Sequence, residues 1–363
     1  MAEKTKKDLS PEESILSPYG RLRLKIVNKF SKNKGTKSRH KMVNYAKYGY
    51  MFLIPFFVIF FIFQLVPLIQ TFYYSFNTYY KDGLDMVGPT FCGWSNYVKM
   101  FTDPTIRLGD FFANTAIIWI CGFIPQIVVS LLLAIFFTDE RLKLKGTKFF
   151  QTVTYMPNLV MSSAFGMLFL MLFSGVGPVN QLFGTHISFI DDVWWVRGIL
   201  SFINWLMWFG NTAILLMSGI MGIDESLFES ARLDGSSAWH TFWHITMPLL
   251  MPIFVYVLIT SLIGGIQLFD VAYIFTGGSG GPQMTSNTIM MYLYSLVTNA
   301  QDFGLSGAVS VFLFLITAVL SVLVYKTLIP NYSATKAEAK ARKKRMNWLK
   351  NAYSEGGNEN GAD

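Results

Sequence analysis

Charged residues are scarce. Asp, Glu, Lys and Arg make up 14% of the 363 residues, where a soluble domain carries about 25%, so an ordinary water-exposed globule is excluded. Cysteine is nearly absent. Cys92 falls in an expected loop and Cys121 in an apolar run, so neither a disulfide framework nor a metal site is expected. Histidine numbers four. His240 and His244 would share one helical face, but Thr241 stands where a zincin helix carries Glu. No Ser-His-Asp or Cys-His set is recognisable, and no catalytic residue is assigned. The run Gly277–Gly281 with Pro282 lacks the Lys-Ser/Thr that closes a phosphate loop, and no other segment supplies one. No cleavable signal peptide is expected either, since the first apolar run starts only near Tyr48; that run is expected to persist as an uncleaved first span.

What the chain has in quantity is apolar surface: 52% hydrophobic residues, with 33 Phe, 17 Tyr and 9 Trp. A bilayer core needs about twenty apolar residues per helix. Six segments qualify, near 48–72, 111–137, 149–173 (interrupted by Pro157-Asn158), 196–221, 248–276 and 305–329. The expected fold class is therefore an all-α membrane protein with six transmembrane helices. Prolines inside spans, such as Pro55, Pro67 and Pro125, are tolerated where neighbours satisfy the freed carbonyls. They point to a bundle with a cavity rather than to isolated anchors.

The net charge of +8 does not imply nucleic acid, because the basic residues sit in tails and one short loop. Thirteen Lys or Arg lie in residues 1–47, four at Arg141–Lys148, one at Arg232 and eight from Lys326 onward, against Lys81, Lys99, Arg107 and Arg197 on the other side. This bias predicts both termini in the cytoplasm, with the basic tails as partners for anionic lipid. Three parts follow: a basic tail over 1–47, a six-span domain over 48–330 and a C-terminal tail over 331–363. Within the first tail, residues 20–32 read either as a weak interfacial helix or as a solvated tail. The Gly-, Asn- and Glu-rich C-terminal end reads as disordered. The ten-residue apolar run 288–297 is too short to span and reads as interfacial or re-entrant.

Between the fourth and fifth spans, residues 224–248 read DESLFESARLDGSSAWHTFWHITMP. Asp224 suits a helix start. Leu227, Phe228, Ala231 and Leu233 give one apolar side. Gly235 stands where a helix ends in positive φ, Ser236 is placed to cap a second short helix, and Pro248 suits the first turn of the next span. The element reads as a helix–Gly–helix hairpin. Asp224, Glu225, Glu229 and Asp234 outnumber Arg232, which disfavours a resting place on anionic lipid and favours a protein partner.

Glu229-Ser230-Ala231, three residues, Gly235, nine residues and Ile245-Thr246-Met247-Pro248 resemble the cytoplasmic loop of ABC-importer permeases. Ser230 and Met247 replace the family's Ala and Leu without altering the spacing. The likeness extends over most of 48–330, through the Pro-rich first span, GWSNYVKMF, Asn114-Thr115 and FDVAYIFTGGSGGP, and is strongest to the carbohydrate-importer branch of maltose and glycerol-phosphate type. The resemblance implies a type I ABC importer permease fold with a cytoplasmic coupling helix in a bacterial cell membrane. It implies that Glu229, Ala231, Asp234, Gly235, Ile245 and Pro248 form the loop that docks on an ATPase. It implies a heterodimer with a second permease subunit, two ATP-binding subunits that use the ATP, an extracytoplasmic solute-binding protein, and no cofactor on this chain. A secondary transporter driven by an ion gradient is the alternative, disfavoured because no inverted halves are visible and Asp270 is the only candidate intramembrane ionisable group.

Candidate cargo contacts follow from polar residues in apolar surroundings. Gln126, Asn158, Asn204, Asn211 and Gln267 each either bond a neighbouring helix or together line a polar path. Amides beside Trp205, Trp208 and Tyr273 suit sugar, since amides pair with hydroxyls and aromatic faces stack on pyranose C–H surfaces. Asp270 either faces water within span five or caps a loop beyond its end. The residues assigned to the path are Asn158, Asn211, Gln267, Asp270 and Tyr273.

Overall fold

The structure, a computed structural model, describes residues 46–139, 142, 145–328, 340 and 343–347. The readings of residues 20–32 and of the C-terminal end lie outside the described residues. The chain divides into two units, residues 1–65 and 66–363. In the first, α1 (Ala46–Phe60) carries Pro55 and runs into a π-helical turn, Phe61–Leu65. Apolar side chains of the helix and the turn, among them Phe52, Ile59 and Phe63, are exposed, as expected of a membrane-facing helix.

The second unit begins with α2 (Val66–Ser75), followed by a two-stranded antiparallel hairpin, β1 (Asn77–Asp82) and β2 (Asp85–Phe91). After the short helix α3 (Ser95–Thr102) come α4 (Leu108–Thr138), α5 (Thr147–Leu159), α6 (Ser162–Leu172), α7 (Pro178–Phe183) and α8 (Val193–Met221). Next are α9 (Glu225–Leu233), α10 (Ala238–Thr241), α11 (Met247–Ile266), α12 (Asp270–Phe275), α13 (Ile289–Thr298) and α14 (Phe303–Leu328). Among the described residues, five helices are long and apolar enough to cross a membrane, and the bent pair α5–α6 makes a sixth if counted as one span. The hairpin β1–β2 is an addition to the helical architecture that the run of Tyr and Phe there did not announce.

Two helix breaks differ from the sequence reading. The third span does not break at Pro157-Asn158; both residues stay in α5, and the 88° bend falls at Val160 and Met161, which are extended. Proline removes one hydrogen bond to the preceding turn but does not itself leave the helical region, so the helix ends a few residues later. The fifth span reaches Phe275, as expected, but it is interrupted: the chain leaves the helix at Gln267–Phe269, between α11 and α12. The short apolar run near 288–298 is a ten-residue helix, α13, with Ile289, Met291 and Leu296 buried.

The centre of the unit is the pair α4–α8. Ser130 Oγ donates to the Phe209 carbonyl at 2.6 Å, Ser201 Oγ to the Ile118 carbonyl at 3.0 Å and Gln126 Nε2 to Thr212 Oγ1 at 2.7 Å. In lipid, where apolar contact alone gives no net drive, small residues and interhelical hydrogen bonds of this kind hold helices together. Helix α5 packs on the other side of α8 at Gly210, where an added Cβ would overlap the Thr154 carbonyl oxygen. Asp192 starts α8 by accepting the Trp194 and Trp195 amides at 2.9 and 3.0 Å, a side-chain cap that places the span's first turn three residues ahead of its apolar pattern.

Candidate functional site

The hairpin between α8 and α11 is built by local rules. Asp224 accepts the Ser226 amide at 3.0 Å and opens α9. That backbone bond first, and a side-chain bond with Ser226 second, holds the Asp224 carboxyl below its ordinary 3.8. At the other end, Ser236 N–H donates to the Ala231 carbonyl at 2.9 Å and Gly235 N–H to the Arg232 carbonyl at 3.1 Å. These two bonds form a Schellman closure, with Gly235 at φ +71 in the left-handed position such a closure requires.

The second arm is capped by Ser237 rather than Ser236. Ser237 Oγ accepts the His240 amide at 3.2 Å, whereas Ser236 is spent in the turn that follows Gly235. Nor is this arm a separate short helix. Helix α10 passes through a π-helical turn, Phe242–Thr246, directly into α11, so the arm and the fifth span form one rod. Pro248 lies in the first turn of α11. The expected apolar side of α9 is narrower than four residues: Ala231 is buried and Phe228 half-buried, while Leu227 and Leu233 face outward, Leu233 at 89% exposure. At 100° per residue, Leu233 falls off the inward face that Phe228 and Ala231 share.

Among the residues assigned to docking, Glu229, Asp234, Gly235 and Pro248 are exposed, Ile245 is half-buried and Ala231 is buried. Trp239 and Trp243 add exposed rings on the second arm. The open surface thus mixes carboxylates with Leu227, Leu233 and two indoles. Behind the hairpin, a cavity of about 310 Å³ is lined by Thr138, Ile220, Phe228, Arg232, Thr241 and Thr246 among others.

The five path residues do not form one cluster. Asn211 lines a cavity of about 140 Å³ between α4, α8 and α11, together with Gln126, Asn204, Thr212, Thr260 and Ser261 and the rings of Trp119, Trp208 and Tyr256. Asn158 instead donates to the Met207 carbonyl at 3.2 Å, tying α5 to α8. Gln267 borders a separate cavity of about 420 Å³ with Ile263, Ser310 and Thr317. Asp270 is exposed at the first turn of α12, directly after the interruption of the fifth span. Tyr273 packs against Phe269 and Tyr294, and Trp205 against Phe202 and Phe209. Sequence reasoning missed Tyr256, Thr260 and Ser261; the signal available was a Thr-Ser pair in the middle of an otherwise apolar span.

A second unanticipated feature lies at the opposite end of the bundle. Arg197 donates to Asn114 Oδ1 and to the Thr285 carbonyl, and Asn114 Nδ2 donates to the carbonyls of Met284 and Asn287 at 3.1 and 3.2 Å. Gln283 and Met284 hold positive φ in that segment. Among the described residues no group of three or more His, Cys, Asp or Glu is placed to hold a metal.

Residues 126–332 match the family described as binding-protein-dependent transport system inner membrane component. The chain belongs to this family. The lactose transport system permease protein LacF of Rhizobium radiobacter is 30% identical over 296 residues, covering 79% of this chain and 96% of the relative. The trehalose/maltose transport system permease protein MalF of Thermococcus litoralis is 26% identical, covering 77% and 93%. Among solved structures, a bacterial ABC transporter involved in import of the acidic polysaccharide alginate superposes with a TM-score of 0.63 at 21% identity, covering 77% of this chain and 93% of that one. The fold is thus the mostly helical type I permease fold, and the chain is a multi-pass permease subunit of a binding-protein-dependent ABC transporter. The matched range contains the whole hairpin of α9 and α10, both helices that carry it and the C-terminal part of α4.

Proposed function

We propose that this permease imports a sugar or oligosaccharide by alternating access, driven by ATP hydrolysed on separate subunits. The observation that carries the reading is the hairpin. It joins the C-terminal end of α8 to a rod continuous with α11, and it presents Leu233, Trp239 and Trp243 beside Glu229 and Asp234. A face of exposed indole and leucine rimmed by carboxylate suits a protein groove rather than anionic lipid. On this reading Glu229, Ala231, Asp234, Gly235, Ile245 and Pro248 form the ATPase-docking loop. Both termini lie in the cytoplasm, residues 48–330 form the spanning domain, a second permease subunit completes the pore, and an extracytoplasmic solute-binding protein delivers cargo. Displacement of the hairpin moves α8 and α11 together, because packed elements switch between discrete arrangements.

Sugar is favoured by the names of the relatives, which include lactose and trehalose/maltose permeases, and by the cavity around Asn211. Its amides and hydroxyls beside indole and phenol rings match the alternating polar edges and apolar faces of a pyranose. Among the described residues no charged side chain lines it, so ionic cargo is disfavoured there. The test is reconstitution of the chain with its co-purifying subunits in proteoliposomes. Stimulation of ATP hydrolysis by a neutral oligosaccharide with its binding protein is expected. Transport sustained by an ion gradient in the absence of nucleotide would overturn the proposal.

A further inference from the structure

Helix α3 has three faces. Asn96 and Met100 point into the fold, and Asn96 Nδ2 donates to the carbonyls of Ser75 and Asn77 at 3.0 and 2.9 Å. Ser95, Lys99 and Thr102 form a polar strip. The third face consists of Trp94, Val98 and Phe101, spaced i, i+4, i+7, and all three are open, at 67, 57 and 62% exposure. An eight-residue helix packed on one side and surrounded by water has no reason to carry a second apolar stripe.

Its depth is fixed by α14. The Phe101 ring meets Phe312 edge-on, centroids 5.2 Å apart at 84°. Phe312 lies nine residues into α14, about 14 Å along its axis. A helix of 26 residues is about 39 Å long, while the hydrocarbon core is about 30 Å thick. Centred, the helix overhangs by about 4–5 Å at each end, which puts Phe312 about 9 Å inside the core. Interfacial amphipathic helices bury their apolar face about 5–10 Å deep. On its polar side, Lys99 Nζ pairs at 3.5 Å with Asp302, the residue just before α14 begins. Charge therefore sits at the rim and the phenyl ring below it. Further down α14, the exposed residues Leu315, Val319 and Leu323 continue the same apolar surface.

We infer that Trp94, Val98 and Phe101 are seated among phospholipid chains at the headgroup boundary, which makes α3 an interfacial anchor. The anchor fixes the hairpin β1–β2 and the end of α2 at one membrane surface, because Asn96 ties both to α3. Trp94 suits this place: an indole has an apolar body with one polar N–H and concentrates at such boundaries. The inference rests on the membrane-spanning role of α14 and not on which side is the cytoplasm.

The test uses the full chain with its co-purifying subunits in nanodiscs of phosphatidylcholine and phosphatidylglycerol. Val98→Cys in a Cys92→Ala, Cys121→Ala background carries a small fluorophore, and Lys99→Cys is its polar-face control. Phospholipid bearing a nitroxide high on the acyl chain should quench the label at 98 at least about twofold more than aqueous iodide does, with the order reversed at 99. Stronger quenching by iodide at 98 overturns the inference. So does protection of 98 from both quenchers, which would mean that a protein partner covers the face. Photo-crosslinking of the unsubstituted chain by a carbene-bearing phospholipid supplies a second reading, and absence of label on the 94–102 peptide counts against the anchor. Nitroxide is present in both leaflets, so an inverted topology would leave the result unchanged.

Discussion

Arg197 Nη2 donates to Asn114 Oδ1 at 2.6 Å, joining the second turn of α8 to the second turn of α4. The same guanidinium donates from Nε to the Thr285 carbonyl at 3.0 Å. Two helices and the segment bearing Gln283 and Met284 at positive φ are thereby held by one side chain. Hydrogen bonds from a charged donor contribute about 1.5–3 kcal/mol. Arg197→Ala should therefore speed hydrogen exchange at residues 284–289 about tenfold or more. Arg197→Lys should restore only part of the protection, since an ammonium lacks the planar fork that reaches both oxygens.

The contact between α5 and α8 depends on Gly210. A methyl group there would overlap the Thr154 carbonyl, which is backbone and has no rotamer to escape into. Gly210→Ala should lower stability by about 1–3 kcal/mol, as overpacking does. The measurement is SDS- or heat-induced unfolding of the purified chain. An unchanged midpoint would show that α5 shifts freely, and Asn158, bonded to Met207 one turn away, would then lose its 3.2 Å bond as well.

These two contacts mark where local pattern stops informing. The apolar runs were legible because a span is a local property of about twenty residues, and the N-cap Asp224 and closing Gly235 because caps are local too. The choice of Ser237 over Ser236 was not, since it depends on how many residues the Schellman turn consumes. The break after Ile266 leaves no proline to mark it. The cavity around Asn211 needs the rotational register of α4, α8 and α11 at once, and no single segment encodes that. Arg197 stood out only as a charge at a span edge; its partners are 83 and 88 residues away.

Cargo selection can be probed at Asn211. Its amide shares the 140 Å³ cavity with Thr260 and Ser261, and a leucine of similar size removes donor and acceptor together. Asn211→Leu should reduce sugar uptake about tenfold, the equivalent of one or two lost hydrogen bonds. Assembly with the ATPase should persist, because the hairpin is untouched. Uptake assays at several sugar concentrations, with subunit recovery scored in parallel, separate the two outcomes.

Acid should loosen α9 in a defined window. The folded-state pKa of Asp224 lies below 3.8 because its carboxylate accepts the Ser226 amide. The folded chain thus binds this proton less readily than the unfolded chain. Its stabilisation is complete above pH 3.8 and fades as pH falls through the lowered native value. Protection of the first-turn amides, corrected for intrinsic exchange, should be flat near neutrality and drop in that acid range. Asp224→Asn keeps a capping oxygen without the titration, and its protection should no longer change there.

Coupling should be most sensitive at Gly235. Its φ of +71 and its N–H bond to the Arg232 carbonyl both belong to the Schellman closure that sets the angle between α9 and α10. Alanine tolerates the left-handed region at a cost of about 1–2 kcal/mol and keeps the N–H, so Gly235→Ala should retain partial function. Proline can adopt neither the angle nor the bond, so Gly235→Pro should splay the two arms. The ATPase should then hydrolyse nucleotide at its basal rate with no stimulation by sugar and binding protein. Measuring stimulated and basal hydrolysis in the same proteoliposomes distinguishes this from loss of assembly, which abolishes both. Full stimulation in Gly235→Pro would remove the hairpin angle from the transmission path. The π-helical turn at Phe242–Thr246 would be left as the only irregularity between the hairpin's second arm and α11.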